Sequence, residues 1–202
     1  MALKADKGIS DTRYISAKGW AGAFMYNEKA KTAIENFFKR EDTLSVGICN
    51  GCQLFVELGL INMDHDKKPK MHHNVSQKHE SIFTSLTIQE NKSVMLSSLA
   101  GCTLGVWVSH GEGRFSFPHL EDRYQIVSKY GYDTYPACPN GSDYNTAMLC
   151  DETGRHLVMM PHIERSLLQW QWAHYPKGRH DEVSPWMEAF VNARKWLEAN
   201  GK

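Results

Sequence analysis

Apolar residues recur at three- and four-residue steps at Ala30, Ala33, Ile34, Phe37 and Phe38, while Lys29, Lys31, Glu35 and Lys39 take the opposite face. That spacing predicts an amphipathic helix over residues 27–40. Upstream, to about Met25, the sequence has no clear period and reads as loop with one short helical piece, with no sign of a first strand. Residues 43–48 read as a short strand, and Leu54, Phe55 and Leu58 resume helical spacing before Gly59 offers a stop. Strand, sharp turn and helix therefore meet at Cys49. The charged stretch 62–70 is expected to be a solvated loop. Ile82, Thr84, Leu86 and Ile88 alternate as a strand with one buried face, and residues 103–108 form another strand candidate. Strands at 145–150 and 156–160 flank a turn at 151–155. Ser184 and Pro185 suit the N-cap and first position of a last helix, whose inner face would be Met187, Phe190, Val191 and Leu197.

Helices alternate with strands early and strands cluster in the middle, which predicts an α/β sheet with an antiparallel insertion. The 202 residues suffice for one sizeable core, so one domain is expected. Lys and Arg number 23, as do Asp and Glu. This balance removes the electrostatic case for a nucleic-acid or acidic-membrane partner. No apolar run approaches bilayer length, and the first residues lack the apolar stretch of a signal peptide, so a cytoplasmic location is expected. A small molecule or another protein is the expected partner.

In an α/β sheet, functional groups gather at the carboxyl ends of strands. Three polar clusters fall there, at Cys49, His110 and His162. Gly47-Ile48-Cys49-Asn50-Gly51 has the form of a nucleophile elbow, in which glycines relieve the crowding of a tight strand-to-helix turn. A thiol at a helix N-terminus also feels the positive end of the macrodipole, which favours thiolate. A nucleophilic Cys needs a base, and the base needs an acceptor that holds its tautomer. His162, with Glu164 two residues on, fits those roles. A buried structural cysteine is the plain alternative, and Cys49-Asn50-Gly51-Cys52 also has the spacing of a redox dithiol. A zinc site drawing on His72, His73 or His79 is disfavoured, because no second Cys-x-x-Cys exists.

Gly47-Ile48-Cys49-Asn50-Gly51-Cys52-Gln53 resembles the nucleophile motif of class I (triad-type) glutamine amidotransferases, and the run from Met159 to Arg165 resembles their His-x-Glu end. The stretches Val108 to Arg114, Tyr135 to Ser142 and Ser184 to Lys195 resemble, more specifically, the C-terminal glutaminase domain of the large phosphoribosylformylglycinamidine synthases. The likeness runs from about Ser16 to Leu197. It departs at Ile163, where the family usually has Pro, and at Cys138, where it has Asn.

The resemblance implies a flavodoxin-like sheet with helices on both faces, a small antiparallel insertion and missing N-terminal strands. Residues 1–202 would then be an N-terminally truncated fragment of a larger synthase. It implies Cys49, His162 and Glu164 as catalytic triad, the backbone N–H groups of Asn50 and Gly8 as oxyanion hole, and Gln53, His110 and Glu112 as glutamine-binding residues. It implies no metal in this domain. Ammonia would pass to the remaining synthase domains, where ATP and Mg2+ activate formylglycinamide ribonucleotide; no Gly-rich phosphate loop with Lys and Ser/Thr stands in this chain. Glutamine and those domains are the implied partners. A thiol redox protein using Cys49 and Cys52, and an inactive docking fragment, stand as alternatives.

Overall fold

The computed structural model describes residues 2–3 and 16–201. A seven-stranded sheet forms the centre, and its strands are β1 (Ala2–Leu3), β2 (Ser45–Ile48), β4 (Glu80–Ile88), β5 (Thr103–His110), β7 (Gln125–Tyr130), β8 (Thr146–Cys150) and β9 (His156–Met159). Their spatial order is β1-β2-β9-β8-β7-β4-β5. β1, β2 and β9 run parallel, and every step from β9 to β5 is antiparallel. A separate antiparallel pair joins β3 (Lys70–His72) to β6 (Arg114–Ser116).

Among the described residues four α-helices complete the fold: α1 (Ser16–Tyr26), α2 (Glu28–Lys39), α3 (Asn50–Glu57) and α4 (Met187–Asn200). The sheet is covered on both faces. Alternate residues of β9 and the residue after it enter different cores: Leu157 and Met159 pack with Val46, Leu86, Trp186 and Ala189, whereas Val158 and Met160 pack with Phe38, Cys52, Phe55 and Phe115. This two-sided burial is why residues 157–160 read as a continuous apolar run. Among the described residues no helix is long and apolar enough to cross a membrane.

The N-terminal expectation needs correction. α1 is an 11-residue helix where loop with one short helical piece was expected, and β1 pairs with β2, Ala2 lying opposite Val46. The buried stripe of α1 is Ala17 and Ala21, which pack with Leu54 of α3. Alanines carry too little hydrophobic contrast to reveal a period, and a two-residue strand is too short to show one. The antiparallel half is also larger than an insertion, and β7 joins it although Ser128 interrupts its apolar pattern.

α2 follows its predicted span, with the Asn27 side chain accepting from the Ala30 N–H at 3.1 Å. α4 begins two residues later than expected. Ala189 is buried, Phe190, Ala193 and Trp196 pack beside it, and Leu197 faces solvent. β5 runs two residues further than predicted, as far as His110.

Candidate active site

β2 and β9 are parallel neighbours, with Ile48 opposite Met159, so their carboxyl ends lie side by side. Cys49 follows one end and His162 the other. The backbone at Cys49 adopts φ 53° and ψ −106°, a left-handed turn that L residues rarely take. It ends β2, makes Cys49 the cap of α3, and is held by the Cys49 N–H donating to the Met159 carbonyl at 2.8 Å. Gly47 is required here, because a Cβ would stand 2.8 Å from the Gly51 carbonyl oxygen. The elbow read from the sequence is thus a real strained turn, and Asn50 opens α3.

His162 is 6% exposed and turns its Nδ1 to the Glu164 carboxylate at 2.6 Å. Its Nε2 is buried without a protein hydrogen bond inside normal limits. Burial resists charging of the ring, but the Cys49 and Glu164 side chains outweigh it and raise the imidazolium to about 9. His162 therefore carries a proton at neutral pH and places positive charge beside the Cys49 sulfur. Arg165 Nε lies 3.7 Å from the same Glu164 oxygen.

His110 is also buried, but it is neutral. Burial first, then the charges of His162 and His79, hold it down at about 3. Its tautomer follows from Asn74. The Asn74 amide NH2 donates to the Lys78 and His110 carbonyls, and its Oδ1 accepts from the Gly113 N–H at 3.0 Å. Oδ1 is therefore an acceptor, and His110 Nδ1, 3.1 Å away, must carry the hydrogen. Gly113 is needed because a Cβ there would enter the His110 ring at 2.3 Å.

Gln53, in α3, donates from Nε2 to the Glu112 carbonyl at 2.6 Å. Glu112 faces His73 with its carboxylate, at 3.5 Å. Gln53, His110 and Glu112 therefore meet at the β5–β6 turn beside the elbow. Gly8, the expected second oxyanion donor, lies outside the described residues.

The competing readings fare differently. Cys52 is fully buried in the α3 core, and burial, then neighbouring Cys49, push its thiol well above the ordinary range. Among the described residues no group of three or more His, Cys, Asp or Glu is placed to hold a metal.

Two features escaped the sequence reading. Asn74, in a loop without periodicity, organises the His110 turn. The second is a link across the sheet: the His162 N–H donates to the Trp107 carbonyl of β5 at 2.8 Å, as an isolated antiparallel bridge. β5 is the far edge strand, so the twisted sheet curls round to bring it beside the segment after β9.

Several known proteins are similar to this chain. The Arabidopsis thaliana protein named probable phosphoribosylformylglycinamidine synthase, chloroplastic/mitochondrial, is 42% identical over 91% of the chain. The Homo sapiens phosphoribosylformylglycinamidine synthase is 36% identical over 90%. The chain spans only 15% and 16% of the lengths of these two relatives. Among solved structures, PurLQS from Thermotoga maritima superposes with a TM-score of 0.65 at 26% identity, covering 88% of this chain and 72% of that one. Residues 5–197 match the CobB/CobQ-like glutamine amidotransferase domain, so the chain belongs to that family.

Proposed function

We propose that this chain is the glutaminase domain of a phosphoribosylformylglycinamidine synthase, releasing ammonia from glutamine. The observation that carries the reading is the union of Cys49, in its left-handed elbow, with a buried His162 charged by Glu164 and Cys49. The Cys49 sulfur attacks the side-chain amide carbon of glutamine, and the carbonyl oxygen takes the negative charge. The Asn50 N–H at the start of α3, and that of Gly8, are proposed to receive it. His162 gives its Nε2 proton to the departing nitrogen; ammonia leaves and a γ-glutamyl thioester remains. Water, deprotonated by His162, then splits the thioester into glutamate and free Cys49. Glu164 holds the imidazole in one orientation throughout.

Gln53, His110 and Glu112 are proposed to shape the pocket for the α-amino and carboxylate groups of glutamine. The Glu112 carboxylate has the charge suited to the ammonium. His110, neutral and sealed, contributes by fixing the turn. In this reading the ammonia serves ATP-dependent conversion of formylglycinamide ribonucleotide to formylglycinamidine ribonucleotide in purine biosynthesis, with ATP and Mg2+ bound by the other synthase domains. The domain is proposed to act in the cytoplasm, as one part of a larger synthase.

The test is alkylation of each of the five cysteines at neutral pH, read by peptide mass spectrometry with and without glutamine. Cys49 should react fastest and be protected by glutamine. An inert Cys49, or protection at no thiol, would sink the reading.

A further inference from the structure

Two backbone carbonyls of β5, two residues apart, touch the two reacting side chains' anchors. The Trp107 carbonyl accepts the His162 N–H at 2.8 Å, and the Ser109 carbonyl lies 3.7 Å from the Cys49 sulfur. Carbonyls at i and i+2 leave a strand on the same side, about 7 Å apart at roughly 3.4 Å per residue. The opposite edge of β5 is paired with β4 over eight residues, Thr103 to His110, so the segment cannot shift freely.

The Trp107 side chain is tied down as well. Its ring meets Phe83 edge-on at 5.1 Å, and its Nε1–H donates to the Gln171 carbonyl at 2.5 Å. Gln171 returns the chain to the catalytic segment: its side-chain oxygen accepts from the Leu168 N–H at 2.9 Å, and the next residue, Trp172, donates from its indole to the Ser166 carbonyl at 2.7 Å. Ser166 closes the turn over 163–165 by donating its N–H to Ile163. The bonds form a closed circuit from His162 through Trp107, Gln171, Trp172 and Ser166 back to the residues after His162. Trp170, in the same segment, is 78% exposed and outside this circuit.

We propose that residues 107–109 of β5 form a template that sets the separation of Cys49 and His162, and that the Trp107 indole N–H is the positioning group that holds it. The inference rests on the glutaminase reading for its rate effects, but not for its effect on the sulfur.

Trp107→Phe keeps an aromatic ring against Phe83 and deletes only the indole N–H. In the full chain, the kcat for ammonia release should fall about tenfold with KM for glutamine within about twofold, since small misplacements of reacting groups cost rate steeply. The rate of Cys49 alkylation at neutral pH should fall about threefold to tenfold, as the charged imidazole moves from the sulfur. Trp172→Phe, which breaks the next link and retains β5, should shift both readouts in the same direction by about threefold or less. A folded Trp107→Phe protein with lowered Tm but wild-type kcat and alkylation rate shows packing alone and overturns the proposal. If Trp107→Phe does not fold, an unchanged alkylation rate in Trp172→Phe overturns it instead. A wild-type chain that releases no ammonia, with the slowed alkylation intact in the variants, defeats the glutaminase reading and upholds the template.

Discussion

His156 and His162 stand at opposite ends of β9, and both are sealed, at 1% and 6% exposure. Each has an Nε2 atom buried without a hydrogen bond among the described residues. Yet burial takes His156 down to about 4, whereas His162 rises to about 9. The difference lies in the partners. His156 meets the Ser45 hydroxyl at 2.8 Å and stacks on Phe38 at 4.1 Å, and neither carries a charge. Asp151 raises His156, but by less than burial lowers it, and its oxygens bond elsewhere than to the ring: Oδ1 accepts the His156 backbone N–H and Oδ2 the Thr153 hydroxyl. His162 has a carboxylate on one nitrogen and a sulfur beside the other. Equal burial thus makes one histidine a neutral core residue and the other a proton carrier.

The largest break in this comparison is at the sulfur. Cys49→Ala should lower ammonia release by at least about ten-thousandfold, because a nucleophile has no substitute in the site. Glutamate formation measured in a coupled assay checks this. Glu164→Gln comes next. It should lower kcat by about a hundred- to ten-thousandfold and move the His162 midpoint, followed by imidazole NMR, from about 9 towards the value of His156. A His162 midpoint left at about 9 would remove Glu164 from its role.

The same contrast sets the pH dependence of stability. For His156 the folded value, about 4, is below the unfolded value near 6.5, so the unfolded chain binds its proton first. Stability is full above about pH 6.5 and lost as pH falls towards 4, by roughly 2–3 kcal/mol from this residue. His110 acts in the same direction to lower pH. His162 acts oppositely: its contribution is full below about 6.5 and lost as pH rises through about 9. Stability should therefore peak near neutral pH. His156→Gln should flatten the acid limb, measured as urea midpoints from pH 7.5 to 4.5; parallel curves for variant and wild type would refute the account of His156.

Much of this site is legible in the sequence because its chemistry is local. Gly47, Cys49 and the onset of α3 sit within one strand-turn-helix, and His162 and Glu164 are two residues apart. What was hidden is non-local. The bridge from His162 to Trp107 depends on the curl of a seven-stranded sheet, and the role of Asn74 depends on a loop folding over β5. α1 was hidden for another reason, since its buried stripe is made of alanines. The inner face of α4 was misplaced because Leu197 is apolar yet points outward, while Ala189, small and easily overlooked, is buried.

The smallest expected effect concerns the second cysteine of the Cys49-x-x-Cys52 pair, and it tests whether the site is a nucleophile or a dithiol. Cys52 sits among Phe38, Phe55 and Val56, away from solvent, and its thiol is held protonated by that burial. The Cys49 sulfur, by contrast, approaches the Ser109 carbonyl. Removing the Cys52 sulfur leaves a small cavity in the α3 core, which should cost about 1 kcal/mol of stability. It should leave kcat and KM for glutamine within about twofold, because no step of the reaction passes through it. A redox couple would vanish with Cys52→Ala, and a triad should not notice it. Full ammonia release by Cys52→Ala, beside none from Cys49→Ala, is the result that assigns the chemistry to one sulfur; comparable loss in both would reinstate the dithiol.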